Sequence, residues 1–369
     1  MTYDLAIVGA GIVGLAHALA GLKRGLRVVV IDRDAQPNGA SIRNFGLVTV
    51  TGQDSSSIRS RALVSREIWM DVAGKASIDV MHRGAIVAAQ RPEAMAVLES
   101  YAATADGAEC TLLTPQAVAE RQPQLDAARL AGGLYSPYEL RVESRDAVPR
   151  IVSYLASQGV EFCFSTAVSA VEPGVVRTID GEIAAKKIVV CSGDDLTGLF
   201  ADRIAKRRVQ RCKLQMVRLA DPGFRLSAAI LSDLSLIRYD GYAARPEAAA
   251  LKARLQAEQA EELANGIHLI VAQGPDGSLV IGDSHHYGPT PDPFGAEAVD
   301  RLIIGEFERL FGGLQLPVVA RWVGTYASGL QAFFVDAPHP DVRLAMVTSG
   351  VGASIGFAIG EETVSELFG

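Results

Sequence analysis

Gly9, Gly11 and Gly14 stand near the start of the chain in the spacing G-x-G-x-x-G, and each position has a separate physical use. Gly9 permits a tight turn, Gly11 lets the backbone approach a pyrophosphate, and Gly14 lets a helix pack closely on a strand. Ile12 and Val13 fall in the first turn of that helix, where N–H groups without intrahelical partners face an anion. The elements that must hold this loop are written on either side of it. Leu5 to Val8 reads as a buried strand, a helix follows to about Arg24, and a second strand, Val28 to Ile31, ends at Asp32. A carboxylate placed there takes the hydroxyls of an unphosphorylated ribose. The glycine spacing alone is weak, but strand, helix, strand and acid together predict a dinucleotide site. FAD and NAD share the pyrophosphate geometry, so this fingerprint leaves both open.

The next residues are more specific. Asp32-Arg33 and Gly39-Ala40-Ser41-Ile42-Arg43-Asn44-Phe45-Gly46 resemble the early FAD motifs of the D-amino acid oxidase/glycine oxidase superfamily, in which the counterparts of Arg43 and Asn44 run beside the isoalloxazine. A helix from about Asp146 to Ser157, a strand from Val160 to Phe164 and an alternating strand near 166–171 resemble the family's adenine-side element, with Val168 at the position whose backbone reads adenine. Lys187 to Cys191, followed by Ser192-Gly193, resembles its turn against the flavin. Strand Arg343 to Val347, then Ser349-Gly350-Val351-Gly352-Ala353-Ser354 and a helix from about Gly356 to Leu367, resembles its closing motif, whose amides and helix dipole stabilise negative charge at the flavin's pyrimidine end. The resemblance implies non-covalent FAD, since relatives that tether flavin near the C-terminus use a cysteine there and none follows Cys212.

It also implies an α/β fold with a Rossmann-like, glutathione-reductase-like FAD domain from residues 1–75, 142–210 and 322–369. A second, α+β substrate domain on a mainly antiparallel sheet is expected from 76–141 and 211–321. Leu269 to Val271 and Leu279 to Ile281 flank Pro275-Asp276-Gly277, a hairpin signal, and 247–263 reads as one helix capped at Asn265-Gly266.

Composition excludes several other classes. The chain has 369 residues and a net charge of -7, with no basic tail to offset it, which argues against nucleic-acid binding. The short run Lys206, Arg207, Arg208 and Arg211 reads as a solvated face. Leu5 to Leu22 is apolar but carries Asp4 before it and glycines within it, so no membrane span or signal peptide is expected. Cys110, Cys163, Cys191 and Cys212 form no C-x-x-C pair, and reduced thiols in a cytoplasmic protein are expected. Gly352-Ala353-Ser354-Ile355-Gly356 fits a hydrolase nucleophile elbow, but no histidine follows it, since the last is His339. No metal site is expected: His285 and His286 are adjacent and would face opposite ways on a strand, and His82, His268 and His339 have no partners at ligand spacing.

The substrate expectation begins with a departure. Amine-oxidising relatives usually carry an arginine in Gly-x-Arg-Pro that clamps a carboxylate, whereas this chain reads Val323-Gly324-Thr325-Tyr326-Ala327. Segments 42–46, Cys212-Lys213-Leu214-Gln215-Met216, Gly282-Asp283-Ser284-His285 and Trp322-Val323-Gly324 resemble a bacterial branch associated with aminophosphonate breakdown. That implies oxidation of 2-aminoethylphosphonate or its N-methyl derivative to an imine, which water converts to phosphonoacetaldehyde, with oxygen or another acceptor reoxidising the flavin. Tyr326, His285 and His286 would then meet the anionic head, with Arg43 beside the flavin, or Arg238 and Arg43 would carry it instead. Other small amines, a 2-hydroxyacid, or FAD binding without turnover stand as alternatives. Lys213 is weighed as an oxygen-activating charge, but a surface lysine is expected.

Overall fold

The computed structural model describes residues 2–53 and 57–369. Its first sheet is parallel, in the order Glu161–Cys163, Val28–Ile31, Thr2–Val8, Gly181–Val190, Val342–Ser349. Leu5 to Val8, Val28–Ile31 and Ile188 to Val190 are runs of Val, Ile, Leu and Ala without alternation, as the middle of a sheet covered on both faces requires. On one face Ile12–Lys23 packs beside Ser144–Ser157 and Gly352–Phe368, around Leu15, Leu19, Val148, Ile151 and Val364. The other face meets the antiparallel strands Val168–Glu172 and Val175–Thr178 and the helix Ala201–Lys206, through Val176, Ile188 and Ile204.

The second sheet is antiparallel except where Ala229–Ser232 runs parallel to Val80–Ala89. From Val318–His339 it continues through Gln210–Leu219, Leu279–Gly282, Ile270–Gln273, Ala229–Ser232, Val80–Ala89 and Gly132–Val142. The hairpin at 275–277 forms as its turn residues predict. The expected helix over 247–263 is two helices, Ala248–Glu258 and Ala260–Ala264. The break falls at buried Gln259, whose side chain accepts from Arg91 Nη2 at 2.6 Å and donates to Glu306 at 2.8 Å. These partners fix a side chain that an unbroken helix would carry elsewhere.

Val318–His339 joins the two sheets. Its first half pairs with Gln210–Leu219 and its second with Val342–Ser349. Among the described residues no helix is long and apolar enough to cross a membrane, and the four cysteines are free thiols.

Candidate active site

One cleft of about 220 Å³ runs between the two sheets, from the loop at 11–14 to Arg238, His268, Asp283, His285 and Tyr326. At the first end the backbone sets the shape. Gly9 has φ +106°, and a Cβ at Gly14 would lie 1.8 Å from the Gly9 oxygen, so neither position tolerates a side chain. A Cβ at Gly11 would meet only the Ser41 hydroxyl, at 3.1 Å. The fold itself therefore asks less of Gly11, which suits a close approach by a ligand. Asp32 braces the loop by accepting from the Ala10 N–H at 2.6 Å, and Ser41 accepts from the Ile12 N–H at 2.9 Å.

Gly11, Ile12, Val13, Gly14, Ser41, Arg43, Asn44, Gly193, Gly350, Gly352, Ala353 and Ser354 all line the cleft. These residues fit FAD: two helices, Ile12–Lys23 and Gly352–Phe368, begin at the cleft wall and offer amides and the positive ends of their dipoles. The Ser192 hydroxyl, at the turn beside Gly193, is buried and lacks a hydrogen-bond partner. Several sequence candidates play a bracing part or lie apart. Asn44 donates to the Ala40 oxygen and accepts from the Gly46 N–H, and the Ser354 hydroxyl accepts from the Thr49 N–H. Gly9, Asp32, Arg33, Val168 and Ser192 are not in the cleft lining, and Arg33 pairs with Asp195 at 3.0 Å on the surface.

At the other end the polar groups are side chains. Arg238, in the turn after Ala229–Ser232, donates to the Tyr287 hydroxyl at 3.2 Å and the Tyr326 hydroxyl at 3.4 Å. Burial opposes its charge, but Tyr326, Tyr287 and Asp283 hold its pKa above the ordinary value. Burial pushes Tyr326 well up, so its hydroxyl stays protonated. The Val323-Gly324-Thr325-Tyr326-Ala327 segment therefore brings a tyrosine hydroxyl to an arginine from a different element.

Next to Arg238 stand three buried groups. Asp283 lies 3.0 Å from His268 Nε2 and 3.7 Å from His285 Nε2. They meet because His268 and Asp283 pair across the hairpin, with Asp283 N–H donating to the His268 oxygen at 3.1 Å. The expectation that His268 lacks neighbours of this kind is thus corrected: the partners come across the sheet, which local spacing cannot show. Asp283, Ser284 and His285 also interrupt the strand between Leu279–Gly282 and His286–Gly288. His285 consequently turns into the cleft, while His286 turns away, 3.1 Å from Asn265 Oδ1, and is not in the lining.

The partners fix proton positions. His285 Nδ1 is 2.8 Å from the Gly266 carbonyl, which can only accept, so the neutral ring carries its proton there and leaves Nε2 bare. Burial draws His285 down to about 3, with Arg238 and His268 adding to the effect against Asp283. Burial works the other way on Asp283, but His285, His268 and Arg238 outweigh it and hold the carboxyl at about 2. Asp283 Oδ1, despite its closeness to His268, has no well-aligned hydrogen bond.

Lys213 is buried and outside the cleft lining, against the expectation of a surface lysine. It pairs with Asp292 at 2.8 Å and donates to the Phe294 oxygen at 2.9 Å, partners about eighty positions away in sequence.

Comparison with known proteins agrees with this arrangement. Glycine oxidase from Geobacillus kaustophilus is 28% identical over 206 residues, 52% of this chain and 54% of the relative. N-methyl-L-tryptophan oxidase from Shigella sonnei is 25% identical over 211 residues, 55% of this chain and 57% of the relative. The match thus spans about half the length of these curated relatives. The crystal structure of glycine oxidase from Bacillus cereus superposes with a TM-score of 0.80 at 18% identity, covering 99% of this chain and 95% of that one, and so shares the fold. A profile described as FAD dependent oxidoreductase matches residues 4–366, nearly the whole length over which the glycine loops and the closing helix are spread, and the chain belongs to that family of FAD-dependent oxidoreductases.

Proposed function

We propose that this protein oxidises a small amine that also carries an anionic group, with 2-aminoethylphosphonate or N-methyl-2-aminoethylphosphonate as the substrate. The observation that carries this reading is the continuity of one cleft. It has dinucleotide-shaped backbone at one end and, at the other, a half-buried cation flanked by tyrosine hydroxyls beside a buried carboxylate and an unprotonated imidazole nitrogen. Such a pocket suits a zwitterion. In this reading the segments 1–75, 142–210 and 322–369 hold the cofactor, and Gly11, Val13, Gly14, Arg43, Gly193 and the amides near 350–354 are its contacts. Bound FAD supplies the hydride acceptor. The chain's part is to bind and orient: Arg238 and the Tyr326 hydroxyl meet the anion, and Arg43 adds charge along the cleft.

A phosphonate suits this end better than a bidentate carboxylate clamp would, because its three acceptor oxygens can take separate donors. Tyr326 and Arg238 come from different elements, which spreads those donors. Oxidation at the amine-bearing carbon gives an imine, and water then releases phosphonoacetaldehyde with ammonia or, from the N-methyl substrate, methylamine.

The test is anaerobic mixing of the yellow holoenzyme with a panel of amines, following loss of flavin colour. The aminophosphonates should bleach it faster than glycine, sarcosine or D-alanine, and acid should release intact FAD. Faster bleaching by alanine or 2-hydroxyglutarate would move the protein to a different substrate class, and no bleaching by any amine would leave FAD binding without this turnover.

A further inference from the structure

We propose that Asp283 and His285 form the subsite for the substrate's amino nitrogen, and that His285 Nε2 takes the proton the ammonium must lose before the carbon beside it can be oxidised. This rests on the amine-oxidising reading but not on the phosphonate. The geometry has three parts. His285 and Asp283 are each 6% exposed and both line the cleft. His285 Nε2 and Asp283 Oδ2 are two acceptors facing each other at 3.7 Å with no proton between them. Asp283 Oδ1 is buried without a well-aligned donor. A site with surplus acceptors and a shortage of protons asks for a ligand that brings donors, and an alkylammonium brings two or three.

The proton transfer balances simply. One N–H bond of the ammonium breaks, its electron pair stays on nitrogen, and the proton forms an N–H bond at His285 Nε2. The imidazolium is then held between the Asp283 carboxylate and the Gly266 carbonyl, an acceptor on each side. The groups facing His285 are Asp283, His268, Arg238, Tyr287 and Tyr326, while Tyr239 packs on His268 behind it. Of these, Arg238 and His268 oppose protonation of the ring, and Arg238 is the one that the proposed anion would neutralise. Binding the anionic head therefore lifts the part of the depression that comes from Arg238, while the larger part, from burial, stays.

A divalent cation is the competing occupant, since His268, Asp283 and His285 present ligand atoms within 4.8 Å of one another. The fixed positive charge of Arg238 beside Asp283 favours a ligand that leaves its charge behind as a transferred proton over one that adds two charges.

The experiment compares wild-type holoenzyme with Asp283→Asn and His285→Gln. Flavin reduction by saturating N-methyl-2-aminoethylphosphonate is followed anaerobically from about pH 6 to pH 10, and ethylphosphonate, which has the anion but no amine, is titrated against the flavin spectrum. Both variants should reduce about 100-fold or more slowly at pH 7 and regain most of the rate near pH 10, where the free amine exists without help. Ethylphosphonate affinity and FAD content should stay within about twofold of wild type. An equal loss of rate at every pH with normal FAD content, an unchanged rate, or an equal loss of ethylphosphonate binding would each overturn the assignment. So would a stoichiometric divalent metal in the wild-type holoenzyme that Asp283→Asn removes. If only sarcosine or another amine bleaches the flavin, the phosphonate reading fails while the same pH shift, measured with that amine, still upholds the subsite. If no amine bleaches it, both fail.

Discussion

At the 9–14 end of the cleft the groups turned toward a ligand are backbone amides, while at the 283–285 end they are side chains gathered from four segments: 238–239, 268–270, 283–285 and 326. The first kind of site depends on conformations that glycine alone adopts easily, and fails when a Cβ intrudes. The second depends on which charges and protons neighbour one another, and fails when a partner is removed. Damage to the first should therefore show in folding and cofactor content, and damage to the second in affinity and pH dependence.

The strongest way to break that division is Gly14→Val. A Cβ there would lie 1.8 Å from the Gly9 oxygen, so little or no folded protein should be recovered, whereas Gly11→Ala should fold and lose FAD on dilution. A Gly14→Val protein with the parent melting temperature would show that the loop is not limited by packing. Acid sharpens the comparison next. His17 is fully buried in the first helix, and burial draws its pKa to about 4. The folded protein then binds a proton there less readily than the unfolded chain, so this contribution is complete above about pH 6.5 and is lost as pH falls toward about 4. The loss amounts to about 3 kcal/mol. His82 and His285, also drawn down by burial, act in the same window. His17→Leu should flatten part of the fall in melting temperature between those pH values; an unchanged profile would show that His17 titrates in the fold as it does in water.

At the side-chain end, Arg238→Gln should raise KM for the aminophosphonate about 100-fold, by leaving a charged ligand without its partner in the cleft. Tyr326→Phe should raise it about tenfold, the worth of one charge-assisted hydrogen bond. FAD content should be normal in both, and a loss of FAD in Arg238→Gln would mean that the two ends are not separable. The smallest expected effect is Asp32→Asn. It weakens the brace on the Ala10 N–H and should loosen FAD by about tenfold or less, measured by fluorescence on release.

The same division explains what was legible in the sequence. Turns that need glycine, strands that are buried on both faces and helices that start at an anion site are local demands, so Gly9, Gly11, Gly14 and the 349–354 turn could be placed from spacing and resemblance. The cleft lining includes most of those residues, and the two-sheet α/β fold is as expected. The His268, Asp283, His285 cluster was not legible, because it depends on hairpin register and on a strand that breaks for three residues. Adjacent histidines suggested opposite faces, and the break sets which of the two enters the cleft. Lys213 and Gln259 misled for a related reason: each is buried by partners far away in sequence, so composition around them reads as surface or as unbroken helix.

The parallel sheet places Thr2–Val8 between Val28–Ile31 and Gly181–Val190, and Gly181–Val190 finds its other parallel neighbour only in Val342–Ser349. The helix Gly352–Phe368 then closes over the first helix so tightly that a side chain at Gly360 would sit 2.7 Å from the Ala16 backbone. During synthesis, therefore, the glycine loop leaves the ribosome long before the strand and helix that complete its surroundings. Until they arrive, the edge at residues 188–190 and the apolar side of Ile12–Lys23 stay uncovered, and the half-made sheet is the species most open to mispairing with another nascent chain.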